Sequence, residues 1–409
     1  MTVRQVAVIG GGAAGMMAAI FAARSGDKVT VFEKNPKTGR KLYITGKGRC
    51  NLTNNCDIKT VIANTPTNGK FLYSVLNRFS PADTMAFFEE NGLPLKTERG
   101  NRVFPVSDKA ADVVDTLLSI AKRSGCRIVH QTVSDIIIEN GTVKGIKAGD
   151  KTYTFDKVII ACGGKSYPLT GSTGDGYFFA EKAGHTIVPL RPSLVPLETQ
   201  EKPAYEMNGL LLKNISVTVT DTKKQGKKIY TDNGEMQFMS YGVSGAVILS
   251  ASAHIRDMEE GRYRLDIDLK PALTEEKLDA RLLREISSRH SESVMQLMRS
   301  LLPAGMVGGF IAAAGISPHK SCSEITKEER KKIIALLKCF SMTIKGFRPI
   351  EEAIVTSGGV SVKEIDPKTM QSKLIEGLYF AGEVIDVDAY TGGFNLQCAF
   401  STGVAAGEN

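Results

Sequence analysis

The first residues able to do chemistry are the glycines of a short turn near the start of the chain. A G-x-G-x-x-G pattern follows the apolar run 6–9 and precedes an alanine- and methionine-rich stretch that ends at Arg24. This order predicts a strand, a tight turn and a helix, whose N-terminus attracts the charge of a pyrophosphate. The candidate phosphate-binding residues are Gly10, Gly12, Ala13, Ala14 and Gly15.

An acid stands where such a site needs one. A second apolar run, residues 28–32, ends at Glu33, eighteen residues after Gly15. In dinucleotide-binding folds an acid at this strand end accepts hydrogen bonds from the adenosine ribose. A solvated strand end is the alternative, and the glycine turn in front of it favours the ribose. We therefore expect Glu33 and the adjacent Lys34 at the adenosine end of a cofactor.

A second glycine-containing loop, residues 39–54, carries four basic residues between Arg40 and Arg49 and no acid. Backbone amides and cations together bind anions, which places this loop near the same cofactor. For Cys50, a catalytic role competes with that of a small buried residue. The candidates are Arg40, Lys41, Thr45, Gly46, Arg49, Cys50 and Asn51.

A third candidate segment follows a strand in the middle of the chain. The run 157–161 is almost continuously apolar, as expected for a parallel strand that is buried on both faces. Its end delivers Ala161, Cys162 and Gly163 to the edge of the sheet, where a cofactor would lie. An ordinary strand-to-loop turn is the alternative interpretation.

Longer segments resemble a known family. They are GRKLYITGKGRCNLTN at 39–54, ACGGKSYP at 161–168, GSTGDG at 171–176, VTSGGV at 355–360 and the run 377–403. Together they resemble the BaiN/YhiN-like flavoproteins, a group that includes an aminoacetone oxidase and belongs to the glutathione-reductase-like FAD superfamily. The resemblance covers nearly the whole chain. It implies a flavin-dependent oxidoreductase with non-covalent FAD.

The resemblance also implies cofactor contacts near the end of the chain. An acid after the strand 378–382 would bind the ribityl group, a role open to Glu383 or Asp386, and the start of the last helix would stabilise reduced flavin. VTSGGV lacks the histidine of fumarate-reductase-like enzymes, which argues against fumarate or succinate; no catalytic acid or base can be named. The implied residues are Val133, Gly382, Glu383, Asp386, Gly393, Phe394, Asn395 and Leu396.

The expected architecture is α/β, with a discontinuous Rossmann-like FAD-binding domain, an inserted β-rich domain and a small helical domain. Residues 1–190 would begin the FAD-binding domain, 191–270 the β-rich domain, 271–340 the helical part, and 341–409 would return through the inserted domain to the first. Helices are expected over 81–92, 108–124, 274–302 and 324–340. Asp108 is expected to cap the second, and Asp175 to have an N-capping or hydrogen-bonding role at the start of another helix. Asn140-Gly141 predicts a hairpin turn.

The distribution of charge and the composition indicate which classes of partner the protein can bind. The net charge is +8, with +7 in residues 1–60 and −6 in residues 351–409, and the position of the basic first segment around the glycine loops favours a bound anion over nucleic acid. No aromatic residues alternate with the lysines of 223–228, as single-stranded nucleic-acid binding would favour. The apolar runs are too short to span a bilayer, so a cytoplasmic location without membrane partners is expected. Seven cysteines without CxxC spacing indicate reduced thiols, and scattered histidines disfavour a metal site.

The sequence thus favours an FAD-dependent oxidoreductase that acts on a small organic molecule, with NAD(P)H or oxygen as redox partner. Reduction of an unsaturated substrate and oxidation of a small amine both remain open. The alternative is an FAD-binding protein that modifies or recognises RNA, because the chain is basic.

Overall fold

A computed structural model describes residues 3–202 and 205–409. The strands are β1 (Gln5–Ile9), β2 (Lys28–Phe32), β3 (Thr53–Asn54), β4 (Leu95–Glu98), β5 (Arg102–Pro105), β6 (Arg127–Val129), β7 (Val133–Glu139), β8 (Thr142–Ala148), β9 (Lys151–Thr154), β10 (Lys157–Ile160), β11 (Ile187–Ser193), β12 (Leu197–Thr199), β13 (Leu211–Asp221), β14 (Lys227–Met239), β15 (Gly242–Ser244), β16 (Tyr263–Asp268), β17 (Phe340–Phe347), β18 (Val355–Val360) and β19 (Leu378–Phe380). The helices are α1 (Ala13–Arg24), α2 (Arg40–Ile44), α3 (Ile58–Ala63), α4 (Tyr73–Arg78), α5 (Pro81–Glu90), α6 (Ala110–Arg123), α7 (Asp175–Lys182), α8 (Ala246–Ser252), α9 (Glu275–Ser288), α10 (Val294–Leu301), α11 (Ala304–Ala314), α12 (Lys327–Lys338) and α13 (Phe394–Glu408).

A five-stranded parallel sheet in the order β19-β10-β1-β2-β6 forms the centre of the fold. Its inner strands are apolar on both faces, as the runs in the sequence predicted, because α1, α13 and the antiparallel sheet β7-β8-β9 pack against it. Helix α13 lies against α1, and glycines allow the close approach: a Cβ on Gly403 would be 2.4 Å from the Ala14 carbonyl oxygen. The carboxyl ends of β1, β2, β10 and β19 therefore meet at one edge, where α/β proteins bind ligands.

The chain divides into two compact units. The first contains the parallel sheet and comprises the chain up to Ser193 together with Ile350–Asn409, and the second is Leu194–Pro349. In the second unit, β12 to β17 close an antiparallel barrel in the order β12-β15-β14-β13-β16-β17. Helices α8 to α12 belong to the same unit and share its apolar core. Among the described residues, no helix is both long and apolar enough to cross a membrane.

Two details of the helices differ from expectation. Asp108 does not cap α6; Lys109 holds the N-cap position, while Asp108 has a positive φ and binds the side chains of Arg49 and Lys96. The helix expected over 274–302 is divided, because Ser293 begins α10 with a capping box of its own. The hairpin at Asn140-Gly141 is confirmed, with positive φ at both residues as a type I′ turn requires.

Lys157 is a buried cation at the edge of the sheet opposite to the carboxyl ends. Its side chain is 1% exposed, and its Nζ donates to the Gly407 carbonyl oxygen (3.0 Å) near the end of α13. The ammonium also lies 4.5 Å from the ring centroid of Tyr379. Burial, helped by the nearby Arg4, lowers the pKa of Lys157 to about 7.

We expect Lys157→Met to stabilise the protein at neutral pH and below. Since the folded-state pKa is depressed from about 10.4, the burial penalty is full below about pH 7 and fades as pH rises toward 10. The gain in the free energy of unfolding should be about 2–4 kcal/mol at about pH 6 and much smaller at about pH 10. Denaturant unfolding of both proteins across this range measures it. A gain that does not change with pH would contradict the burial penalty.

Candidate nucleotide-binding site

A cavity opens at the carboxyl edge of the parallel sheet, inside the first unit. Residues from the ends of β1, β2, β10 and β19 line it, joined by the start of α1, helix α2 and the first turns of α13. Most of the residues that the sequence predicted for a cofactor lie on its wall. They are Gly10, Gly12, Ala13, Ala14, Glu33, Lys34, Arg40, Lys41, Thr45, Val133, Ala161, Cys162, Gly163, Gly382, Glu383, Asn395 and Leu396.

The glycine turn after β1 is shaped by backbone contacts. Gly10 has a φ of +105°, and a Cβ there would be 2.5 Å from the Ala161 carbonyl oxygen. A Cβ on Gly15 would be 1.9 Å from the Gly10 carbonyl oxygen, so only glycine lets α1 start this close to β1. Gly12 faces open space, caps α1 without a side chain, and precedes a first turn that has no acid. The N–H groups at the start of α1 are therefore available to an anion.

Glu33 organises the adjacent end of the cavity. One carboxylate oxygen accepts the Gly11 N–H (2.8 Å), and the other accepts the backbone and side-chain N–H groups of Asn35 (2.8 and 2.7 Å). Lys34 forms an ion pair with Asp175 (2.7 Å). Gly174, with a positive φ, is the N-cap of α7, and Asp175 is its first residue. Of the two roles expected for Asp175, the hydrogen-bonding one is confirmed, because it accepts from Lys34 and Thr173.

Four motifs of the sequence converge on the carboxylate of Glu383. It accepts hydrogen bonds from Lys41 Nζ (2.7 Å), Ser166 Oγ (3.0 Å) and the Thr356 N–H (2.9 Å). Gly164 makes this possible, because a Cβ there would be 2.6 Å from Glu383 Oε1 and 2.5 Å from Thr356 Oγ1. The network joins α2, the loop after β10, β18 and the turn after β19 on one wall of the cavity.

The second part of the basic loop turns away from the cavity. Arg49 stacks on Phe104 and forms ion pairs with Glu98 and Asp108, which explains why its charge is not free for a phosphate. Cys50 is fully buried among apolar side chains, and this burial raises the pKa of its thiol to about 12. Gly46 lies against the Asn51 backbone within the same loop.

Other predicted residues support the wall from behind. Gly15 packs α1 on β1, and Asp386 binds the Asn68 side chain (2.9 Å). Gly393 caps α13 with a φ of +95°, where a Cβ would be 2.3 Å from the Thr53 carbonyl oxygen. Phe394 is buried in the core. The cavity does not include these residues, although Asn395 and Leu396 line it.

The structure adds wall residues that sequence reasoning missed. They are supplied by the turns after β2 and β6, the loop before α7, the start of β18, and α13, and they include Asn35, Gln131, Thr132, Thr170, Gly171, Ser172, Ile354, Val355, Cys398 and Thr402. Gly171 and Ser172 belong to the GSTGDG motif, Val355 to VTSGGV, and Cys398 and Thr402 to the run 377–403, so these matched segments could have located them. The others have no local pattern that marks a ligand.

The start of α1 and the wall around it fit a bound cofactor. The two buried acceptors without a hydrogen-bond partner among the described residues, Asn51 Oδ1 and Asp388 Oδ1, do not belong to residues of the cavity wall. The free α1 N–H groups, the acid at Glu33 and the glycine cradle match the phosphates and ribose of FAD. These residues therefore fit FAD.

The comparisons with known proteins assign the family. The model of the HI0933-like protein Rossmann domain matches residues 4–409. The chain belongs to this family. A 3-dehydro-bile acid delta(4,6)-reductase of Clostridium scindens is 32% identical to this HI0933-like chain, covering 98% of both proteins. A ribosomal RNA dihydrouridine synthase of Haemophilus influenzae is also 32% identical, covering 97% of this chain and 96% of that protein.

A solved structure agrees on the fold. The open conformation of a flavocytochrome c3 fumarate reductase aligns with a TM-score of 0.51 and 19% identity, covering 99% of this HI0933-like chain and 78% of that one. The α/β fold and the resemblance to the BaiN/YhiN-like flavoproteins are confirmed. The HI0933-like protein is an FAD-dependent oxidoreductase with a Rossmann-type cofactor domain.

Proposed function

We propose that the protein is an FAD-dependent reductase that saturates a carbon–carbon double bond conjugated with a carbonyl group in a small organic molecule. The cavity at the carboxyl edge of the sheet carries this proposal, because its free α1 N–H groups and Glu33 suit FAD. The reaction is supported by two relatives of nearly full length, a bile-acid reductase and a dihydrouridine synthase. Both names describe saturation of such a bond.

The residues of the chain hold the cofactor, and the cofactor carries the redox chemistry. When bound, FAD supplies the hydride. The N–H groups of α1 would hold the pyrophosphate, and Glu33 would hold the ribose.

Cys162 and Cys398 line the same cavity, and burial raises the pKa of each thiol to about 12. Both remain thiols near neutral pH, which favours non-covalent binding of FAD.

NAD(P)H is the proposed reductant, and it would react at the flavin without a nucleotide domain of its own. Among the described residues, the parallel sheet is the sole fold of the dinucleotide-binding type, since the second unit is an antiparallel barrel with helices. We therefore expect NAD(P)H to bind transiently, reduce the flavin and leave before the substrate binds.

An anaerobic assay tests this function. The purified protein should contain one FAD per chain, lose its visible flavin spectrum with NADH or NADPH, and regain it when a 3-oxo-4-ene steroid is added, with the saturated ketone as product. Aminoacetone with oxygen serves as the comparison. Turnover of the amine, with no reoxidation by any conjugated ketone, would contradict the proposal.

Uracil in ribosomal RNA is a second candidate acceptor. The Haemophilus influenzae relative is named for dihydrouridine synthesis in ribosomal RNA. Uracil also contains a double bond conjugated with a carbonyl, so the chemistry is shared. The same assay with ribosomal RNA distinguishes the two: dihydrouridine detected by mass spectrometry, with no steroid reduction, assigns the RNA substrate.

A further inference from the structure

Hydrogen-bond donors of the protein occupy most of the acceptor sites on the Glu383 carboxylate. Oε1 accepts from Ser166 Oγ and the Thr356 N–H, and Oε2 accepts from Lys41 Nζ. A carboxylate offers about four acceptor sites, so three are filled before any ligand binds. The side chain is 16% exposed and lies on the cavity wall, and one acceptor site has no donor among the described residues. The carboxylate of Glu383 is therefore already paired with a cation of the protein, the Lys41 ammonium.

Lys41 presents that cation on the wall of the cavity. Its ammonium donates to Glu383 and to Ser166 Oγ (2.7 Å), which uses two of its three N–H groups. The third is available to a ligand in the cavity. Lys34, on the same wall, is already held by Asp175, and Arg40 donates to the Asn35 side chain. Lys41 and Glu383 thus add one charge of each sign to the cavity wall.

We propose that the Lys41–Glu383 pair sets the charge that the flavin experiences, with Glu383 as a positioning residue that holds and neutralises the Lys41 ammonium. The inference rests on the proposed binding of FAD in this cavity. Reduced flavin is an anion, so an unpaired ammonium nearby favours reduction and an unpaired carboxylate opposes it. Held together, the two groups keep the flavin between these extremes while the hydrogen bonds to Ser166 and Thr356 fix their places.

Charge variants test the proposal on the FAD-loaded protein. Glu383→Gln leaves the Lys41 ammonium uncompensated, Lys41→Met leaves the carboxylate, and the double variant removes both charges. Glu329→Gln is the matched control, because its pair with Lys320 has the same N–O distance (2.7 Å) and similar exposure but does not line the cavity. The measurements are FAD affinity, the dissociation constant of sulfite, which forms an anionic adduct with oxidised flavin, and the reduction potential.

Glu383→Gln should tighten sulfite binding at least about tenfold and raise the two-electron potential by about 30 mV for each tenfold change in the equilibrium constant. Lys41→Met should shift both in the opposite direction, and the double variant should return to within about threefold of the parent. Glu329→Gln should match the parent.

Two outcomes would overturn the inference. In one, both single variants bind FAD but leave sulfite affinity and potential unchanged. In the other, Glu383→Gln weakens FAD binding without moving the potential, which would make Glu383 a ribityl ligand alone. If Glu383→Gln does not fold, Lys41→Met decides, with Lys41→Arg as the charge-retaining control. A parent protein that binds no FAD would instead refute the proposed function itself.

Discussion

Gly12→Asp should give a folded protein that no longer retains FAD. A side chain at Gly12 meets no atom within 4 Å, and its φ of −84° is accessible to any residue. Aspartate at this N-cap accepts hydrogen bonds from the first N–H groups of α1, which stabilises the helix slightly relative to glycine. The same carboxylate occupies the groups that would hold the pyrophosphate and repels its charge. We expect FAD affinity to fall at least about 100-fold, equivalent to about 3 kcal/mol.

A neutral variant separates the effect of the added charge on FAD affinity from the effect of the added side-chain volume. Gly12→Asn has nearly the same volume and the same capping ability but no charge, so it should lose much less affinity than Gly12→Asp. Flavin stoichiometry after gel filtration and titration of the apoprotein with FAD provide the readouts, and the unfolding midpoint verifies the fold. Equal flavin content in Gly12→Asp and the parent would show that the pyrophosphate does not bind at this turn.

Gly15→Ala should damage the fold as well as the site. The added Cβ would be 1.9 Å from the Gly10 carbonyl oxygen and 3.3 Å from the Ala161 side chain, so α1 must move away from β1. Alanine is the better helix former by about 1 kcal/mol, yet the overlap outweighs this gain. The net cost in the free energy of unfolding should be about 2–3 kcal/mol, with reduced FAD affinity because the turn opens.

Gly12→Ala is the control within the same motif, since its Cβ enters open space. It should leave the free energy of unfolding within about 0.5 kcal/mol of the parent. Denaturant unfolding of the apoproteins measures both effects. A Gly15→Ala variant as stable as Gly12→Ala would show that the close packing of α1 on β1 does not limit this position.

Local patterns in the sequence were sufficient for the first strand, turn and helix. The apolar run before Gly10, the glycine spacing and Glu33 after β2 are all short-range signals, and the structure places them together on the cavity wall. The long matches to the flavoprotein family located Lys41 and Glu383 as well. That these two form an ion pair could not be deduced, because they are separated by most of the chain.

Other features depend on partners that no local pattern reveals. Asp108 was expected to cap a helix because it precedes a helical run, but Arg49 and Lys96 from other segments bind it instead. For Asp175 the sequence left capping and hydrogen bonding open, and the partner that decides between them, Lys34, lies far away in the chain. The sequence indicated that Arg49 could bind a phosphate. In the structure its charge is paired with Glu98 and Asp108, and its guanidinium stacks on Phe104. Short β-branched runs predicted strands in the second unit, but the pairing of β12 with both β15 and β17, which closes the barrel, is long-range.

The most direct test of the proposed reaction is a single turnover without oxygen. The FAD-loaded protein is reduced with dithionite, freed of excess reductant and mixed with a 3-oxo-4-ene steroid or with ribosomal RNA. We expect the flavin to reoxidise as an equal amount of saturated ketone or dihydrouridine forms. If the flavin stays reduced with every conjugated acceptor and reoxidises with oxygen alone, the protein is not a reductase of conjugated double bonds.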